Sequence, residues 1–322
     1  MCTSILMKSK KALFGRNMDI HFPLKGSVII TPRNYTFKFR CTDEIGNHYA
    51  MIGMGLIRGD YPLYFEAANE KGLAMAGLNF PDNAFYDENR NSDKVNITPF
   101  EIIPYVLSKA KDLAEARQIV ENIHLIGINF APEMPLSPLH FHVATNEGSF
   151  VFETTRDGAR IYDNPVNVMT NNPTFDYHLA NLGNYLNLTP LEPVNSFENL
   201  GVQPQSTGLG SLGLPGDFSS ASRFVRAAYL LNNSPDRGDE NIGQLFHILS
   251  SVRKVRGSVI TRDMCEYITD YSAVIDLCEG IYYYTTTENS RMSAVSMKNE
   301  DLDGKDLISY NAIREQSVFY QN

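Results

Sequence analysis

The chain begins Met1-Cys2-Thr3-Ser4. Removal of Met1, to which a small side chain at position 2 is suited, would place a thiol and a free α-amine on one residue. Such a residue is a nucleophile with its own base. An α-amine titrates near pKa ~7.7–8.0 and a thiol near ~8.5, so close to neutral pH a proton passes from sulfur to nitrogen at little cost. Amide hydrolysis needs that pair together with donors for the tetrahedral oxyanion. A plainer reading is also open, in which Cys2 packs as a small hydrophobe.

The elements that would position Cys2 surround it. Thr3, Ile5 and Met7 alternate with Cys2, Ser4 and Leu6, Lys8 to Lys11 reads as a turn, and Leu13-Phe14-Gly15-Arg16 resumes an extended pattern. Paired as a hairpin, these strands return Arg16 and Asp19 toward Cys2, a cation for the thiolate and a carboxylate for the ammonium. Strands are expected at 28–31, 35–39, 50–54, 64–68 and 73–78, the last delivering Asn79 at its end. Thr98-Pro99-Phe100-Glu101 has capping-box spacing ahead of one helix, and Asp112-Leu113-Ala114-Glu115 opens a second. A meander of strands follows from 141 to 162, then 166–170, which presents Asn171. Residues 178 to 218 read as irregular. Ser219 or Ser220 caps a helix bearing Arg223, a second helix spans about 240–252, and strands resume at 273–277, 281–287 and 293–296. Strands, helix pair, strands, helix pair, strands is the order of two stacked antiparallel sheets with a helical layer outside each, an α+β architecture.

Asn79 and Asn171, each at a strand end, are candidate oxyanion donors, and Arg223 is open to either a direct or a salt-bridging role. Two other patterns fail on context. Gly208-Leu-Gly210-Ser-Leu-Gly213 has dinucleotide-loop spacing but neither follows a clear strand nor opens a helix. His140 and His142 share a strand face without an acidic or Cys partner at ligand spacing.

At 322 residues with 43% hydrophobic content, the chain can bury a large core. Its net charge of −9 argues against nucleic acid and gives no long-range attraction for an anionic substrate. No apolar run approaches the ~18 residues of a membrane span, and the first twenty residues lack the apolar run of a secretory signal. The four cysteines, Cys2, Cys41, Cys265 and Cys278, have no C-x-x-C spacing and read as reduced thiols of a cytoplasmic protein.

Several segments carry a resemblance to a known family: Met1-Cys2-Thr3, Phe14 to Asp19, Asn69 to Leu73, Ala76 to Phe80, Thr170 to Pro173, Leu214 to Asp217 with Ser222-Arg223-Phe224, and Gly280 to Tyr284. Their order resembles that of the choloylglycine hydrolase family, the bile salt hydrolases and penicillin V acylases, within the N-terminal nucleophile hydrolases. The resemblance implies a four-layer αββα sandwich, two antiparallel sheets flanked by helix pairs, with residues 1–322 as a single domain and Met1 removed. It also implies Cys2 as nucleophile, its α-amine as base, and Arg16, Asp19, Asn79, Asn171 and Arg223 in the catalytic cluster. Met18, Ile20 and Phe22 after the catalytic strand, Arg58 and Tyr61 in one loop, and Ile128, Phe130 and Met134 in another are expected to wall the substrate pocket. Arg58 stands where relatives often carry an apolar residue. It either meets an anionic end of the ligand or points to solvent. Asn79 favours the bile-salt branch, since Tyr is common there in the penicillin V branch.

The function implied is a cytoplasmic, homotetrameric cysteine amidase that cleaves glycine- or taurine-conjugated bile salts. No cofactor, metal, nucleic-acid or membrane partner is expected. A penicillin V or acyl-homoserine lactone acylase would use the same chemistry, and a non-catalytic small-molecule binding protein would keep the scaffold without it.

Overall fold

The computed structural model describes residues 1–22 and 24–322. Strands β1 (Cys2–Met7) and β2 (Leu13–Ile20) pair antiparallel, Cys2 opposite Met18 and Ser4 opposite Arg16, as their alternation predicts. There follow β3 (Ser27–Thr31), β4 (Met51–Arg58), β5 (Tyr61–Asn69), β6 (Ala74–Asn79), β7 (Val95–Ile97), α1 (Ile102–Lys109), α2 (Leu113–Glu121), β8 (Ile123–Leu125), β9 (Leu139–Thr145), β10 (Gly148–Thr155), β11 (Gly158–Asp163) and β12 (Val168–Met169). The chain continues through α3 (Phe175–Leu182), α4 (Ser220–Asn232), α5 (Asn241–Ser251), β13 (Ile268–Asp276), β14 (Ile281–Thr286), β15 (Ser293–Ser296) and β16 (Ile308–Asn311). One sheet runs β12-β1-β2-β13-β14-β15 and the other β11-β10-β9-β6-β5-β4-β3-β16, with every neighbouring pair antiparallel.

Period-two alternation sorts the side chains of the eight-stranded sheet. Ile29, Met51, Met75, Phe141 and Val143 pack outward against Ile102, Val106, Leu107 and Val120 of α1 and α2. Val28, Ile30, Ile52, Ala74, Ala76 and Leu78 point the other way, into the core shared with the six-stranded sheet. That sheet is covered on its far side by α4 and α5. Gly15 makes the approach possible, since a Cβ there would meet Leu245 of α5 at 3.0 Å. The result is the expected α+β sandwich of four layers, αββα.

The expected strand at 35–39 is absent, with only an isolated bridge between Phe37 and Ile45. Both edges of β3 are already taken by β4 and β16, so this segment has no ladder to join. Its aromatic rings pack into the outer core instead. The stretch expected to be irregular from 178 begins with the end of α3. The Glu101 carboxylate accepts the Thr98 amide at 3.2 Å and hydroxyl at 2.7 Å, but the Arg40 amide also claims it at 2.8 Å, and helix starts only at Ile102. Asp112 and Ser219 do cap α2 and α4, accepting the amides of Glu115 at 2.9 Å and Ser222 at 3.3 Å. Among the described residues, no helix is long and apolar enough to cross a membrane.

Candidate active site

Alternation along β1 and β2 divides the cluster between two faces. Cys2, Ser4, Arg16 and Met18 look toward the eight-stranded sheet, where Ser4 Oγ lies 2.5 Å from His142 Nδ1 of β9. Thr3, Asn17 and Asp19 look toward the helices, where Asn17 donates to the Leu249 carbonyl of α5 at 2.8 Å.

On the inward face, Arg16 Nη2 donates to Cys2 Sγ at 3.3 Å. Its Nη1 lies 2.9 Å from Glu66 Oε2 and donates to the Phe65 carbonyl. A bulge in β5 permits this: Met54 pairs with Glu66 but Gly55 with Tyr64, so Phe65 is the extra residue and its carbonyl leaves the ladder. Glu66 also accepts the Tyr271 hydroxyl at 2.8 Å and the Tyr282 hydroxyl at 2.5 Å. Met18 Sδ lies 3.8 Å from Cys2 Sγ. Burial works against the Cys2 thiolate, but Arg16 and the adjacent amino terminus outweigh it and hold the thiol below its ordinary pKa.

On the outward face, the Cys2 nitrogen donates to Asn171 Oδ1 at 2.7 Å. With Met1 attached this nitrogen is a peptide amide, standing in for the α-amine of a trimmed chain. Arg223 Nη2 donates to the same oxygen at 2.8 Å, and its Nη1 donates to the Cys2 carbonyl at 2.6 Å and Thr3 Oγ1 at 2.7 Å. Arg223 therefore braces β1 through its backbone and Thr3, with no hydrogen bond to the Cys2 sulfur among the described residues. Asp19 Oδ1 accepts the Thr269 hydroxyl at 2.6 Å, while Oδ2 lies 3.4 Å from Lys254 Nζ and 3.9 Å from Arg223 Nη1. With Met1 attached, the nitrogen expected beside the Asp19 carboxylate is a peptide amide, and the chain's charged end is that of Met1. The Met1 amine donates to the Asp19 carbonyl at 2.9 Å and the Tyr267 hydroxyl at 2.8 Å. Asp19 lies one residue beyond Met18 on the strand, so its side chain turns away from the face of Cys2. Burial lowers the Met1 amine to a pKa of about 6 and Lys254 to about 8.

Asn79 and Asn171 meet at their strand ends, where Asn171 Nδ2 donates to the Asn79 carbonyl at 2.6 Å. Asn171 is thus already engaged through both amide atoms. The Asn79 side chain makes no hydrogen bond among the described residues and has its N–H groups free for an oxyanion. His178 supports Asn171, its Nε2 lying 2.8 Å from the backbone carbonyl. Burial lowers its pKa to about 4, which keeps it neutral at pH 7. His140 lies between Glu153 and the Thr170 carbonyl, at 3.0 Å from each, and His142 between Ser4 and Asn164, so both serve the core.

An apolar cavity of about 130 Å³ is lined by Leu56, Phe65, Phe100, Phe130, Met134 and Leu139. It adjoins the cluster through Phe65, whose carbonyl receives Arg16, and Leu139, which pairs with Asn79. Tyr61 packs behind the wall against Phe100 and Phe130. The space falls below the ~300–1,000 Å³ typical of drug-sized ligands, so it fits only part of a large apolar substrate. Ile20 and Ile128 are half-buried and Phe22 is exposed. Arg58 is exposed and donates only to its neighbour Ile57's carbonyl, at 3.4 Å. A larger cavity of about 540 Å³, between α3, α4 and the end of β1, lies apart from these residues.

The sequence reading did not find Glu66, Lys254, Tyr267, Thr269, Tyr271 or Tyr282. Lys254 sits in the basic stretch Arg253-Lys254-Val255-Arg256, yet it is 0% exposed.

A family model described as linear amide C–N hydrolases, choloylglycine hydrolase family, matches residues 2–310. The bile salt hydrolase/transferase of Lactiplantibacillus plantarum is 45% identical over 323 residues, covering 99% of each chain. The protein of that name from Clostridium perfringens is 37% identical over 335 residues and covers both chains completely. Among solved structures, a mutant conjugated bile acid hydrolase from Clostridium perfringens superposes with a TM-score of 0.93 at 36% identity over the whole of both chains. Penicillin V acylase from Agrobacterium tumefaciens shares the fold, with a TM-score of 0.75 at 21% identity over 96% of this chain and 91% of that one.

Proposed function

This chain belongs to the choloylglycine hydrolase family, and we propose that it hydrolyses the amide bond of glycine- or taurine-conjugated bile salts with Cys2 as an N-terminal nucleophile. The observation that carries the chemistry is the placement of Cys2. Its sulfur lies against Arg16 and its nitrogen against Asn171, on the first strand of the sheet.

In the trimmed chain the α-amine takes the proton from Sγ, and the sulfur attacks the amide carbonyl carbon. The carbonyl oxygen becomes an oxyanion, for which the free Asn79 amide is the available donor. Collapse re-forms the C=O bond and breaks C–N, and the α-ammonium returns its proton to the departing glycine or taurine amine. Water, deprotonated by the same amine, then attacks the thioester, releases the bile acid and restores the thiol. Arg223 and Asn171 fix the nucleophile's backbone, and Arg16 stabilises the sulfur as its charge develops. Phe130, Met134 and Met18 bind the apolar body of the substrate, with Ile20, Phe22, Tyr61, Ile128 and Arg58 at the margins of the pocket.

The same reading takes residues 1–322 as one domain, an idea supported by strands from both ends of the chain sharing each sheet, β2 with β13 and β3 with β16. It also takes the protein as cytoplasmic and homotetrameric. In favour of an assembly, Leu186, Leu191, Val194, Phe197 and Leu200 are largely exposed within one segment, an apolar surface that a second copy would cover.

Incubation with glycocholate, taurocholate and penicillin V, assayed for released amine, tests the substrate. Release from one or both bile salts is expected. No release from either, with cleavage of penicillin V, would replace the proposal by the acylase reading.

A further inference from the structure

Glu66 takes no part in the steps above, yet its carboxylate, 1% exposed, meets the same guanidinium as the nucleophile sulfur. The groups facing it come from three strands: Arg16 of β2, Tyr271 of β13 and Tyr282 of β14. All three present donors. Burial pushes the Glu66 carboxyl above its ordinary pKa, and the Arg16 guanidinium and the two tyrosine hydroxyls work against that rise in favour of the anion. Cys2 is faced by Arg16 and Tyr271 on this side, and on the other by the amino terminus, Asp19, Arg223, Lys254 and Tyr267. One guanidinium thus stands between two buried acids, and where water is excluded a charge on either opposes a charge on the other.

We propose that Glu66 is a positioning residue for the reaction: it clamps Arg16 across the gap between the sheets and, by sharing its charge, keeps resting Cys2 a thiol that ionises only as its proton moves to the α-amine. This rests on the reading of Cys2 as nucleophile.

Glu66→Gln keeps the shape and removes the charge. Ultraviolet thiolate absorbance across pH, taken as the difference between each protein and its Cys2→Ala counterpart, reads the Cys2 thiol without substrate or reagent access. The midpoint is expected to fall by about one pH unit, equivalent to about tenfold more thiolate at a pH below both midpoints. With a bile salt, kcat is expected to fall while KM stays within about twofold, and Glu66→Asp to restore both quantities toward the parent. A purely structural role would lower Tm and leave the midpoint in place, and an unmoved or raised midpoint overturns the proposal. Should the Gln variant not fold, Tyr282→Phe removes one donor from the carboxylate. It should move the midpoint in the same direction by a smaller amount, and no movement there would overturn the proposal equally. Because the titration needs no turnover, a protein inert toward bile salts would undo the substrate reading and leave this one standing.

Discussion

On the inward face of the β1–β2 hairpin one cation, Arg16, lies between two acids, Cys2 and Glu66. On the outward face one acid, Asp19, lies between two cations, Arg223 and Lys254. Sulfur belongs to the first surrounding and nitrogen is held at the border of the second. Arg16 and the amino terminus hold the thiol below its ordinary pKa, with the charge of Glu66 limiting that effect under the proposal above, while burial and the nearby cations lower the amine's. Under that proposal each partner is kept close to neutral until the proton moves between them. The sheet separates the two neighbourhoods, and the alternation of a single strand assigns each residue to its side.

The sharpest way to break this contrast is to remove the atom it serves. Cys2→Ala is expected to lower turnover of both conjugates by more than about 10²-fold while Tm changes little, measured by amine release and thermal unfolding. A smaller change tests the cation-rich side. Lys254→Met leaves Asp19 with Thr269 and Arg223 but removes a positive charge that disfavours protonation of the chain's amine. The amine's pKa should rise, so the acid limb of the kcat/KM profile should move to higher pH and cost about tenfold in rate on that limb. The opposite shift would mean that Lys254 acts only by packing. Arg58→Ala sets the floor, since its guanidinium lies on neither face and in solvent. Less than a twofold change in kcat or KM with either conjugate is expected, and a rise in KM for both would place the substrate's anionic end at Arg58.

What the sequence made legible follows the same division. Cys2, Arg16 and Asp19 share one hairpin, where period and turn give the pairing, although the expectation that Arg16 and Asp19 both return toward Cys2 did not separate the opposite faces they occupy. Asn79 and Asn171 are visible because a strand end is a local feature, although the consumption of Asn171's amide by its neighbours is not. Glu66 and Lys254 escape because their burial is set from across the fold. The bulge at Phe65 aims Glu66 at a strand of the opposite sheet, and Lys254 is enclosed by residues from β2 and α4 and by Tyr267. The sandwich was readable as an order of strands and helix pairs. The loss of the strand at 35–39 was not, because it depends on β16, from the far end of the chain, having taken the edge of β3.

The clasp of the Met1 amine by Tyr267 joins positions 266 residues apart. A ribosome adding ~5–20 residues per second needs roughly a quarter of a minute to a minute to cover that distance. For that interval the leading end of the nascent chain is bare, and an aminopeptidase can reach it. Once β13 docks, the Met1 amine is held by the Asp19 carbonyl and the Tyr267 hydroxyl, with Met1 half-buried. If catalysis needs Met1 removed, as proposed above, a culture starved of the trimming enzyme is expected to accumulate folded molecules that lack the α-amine base.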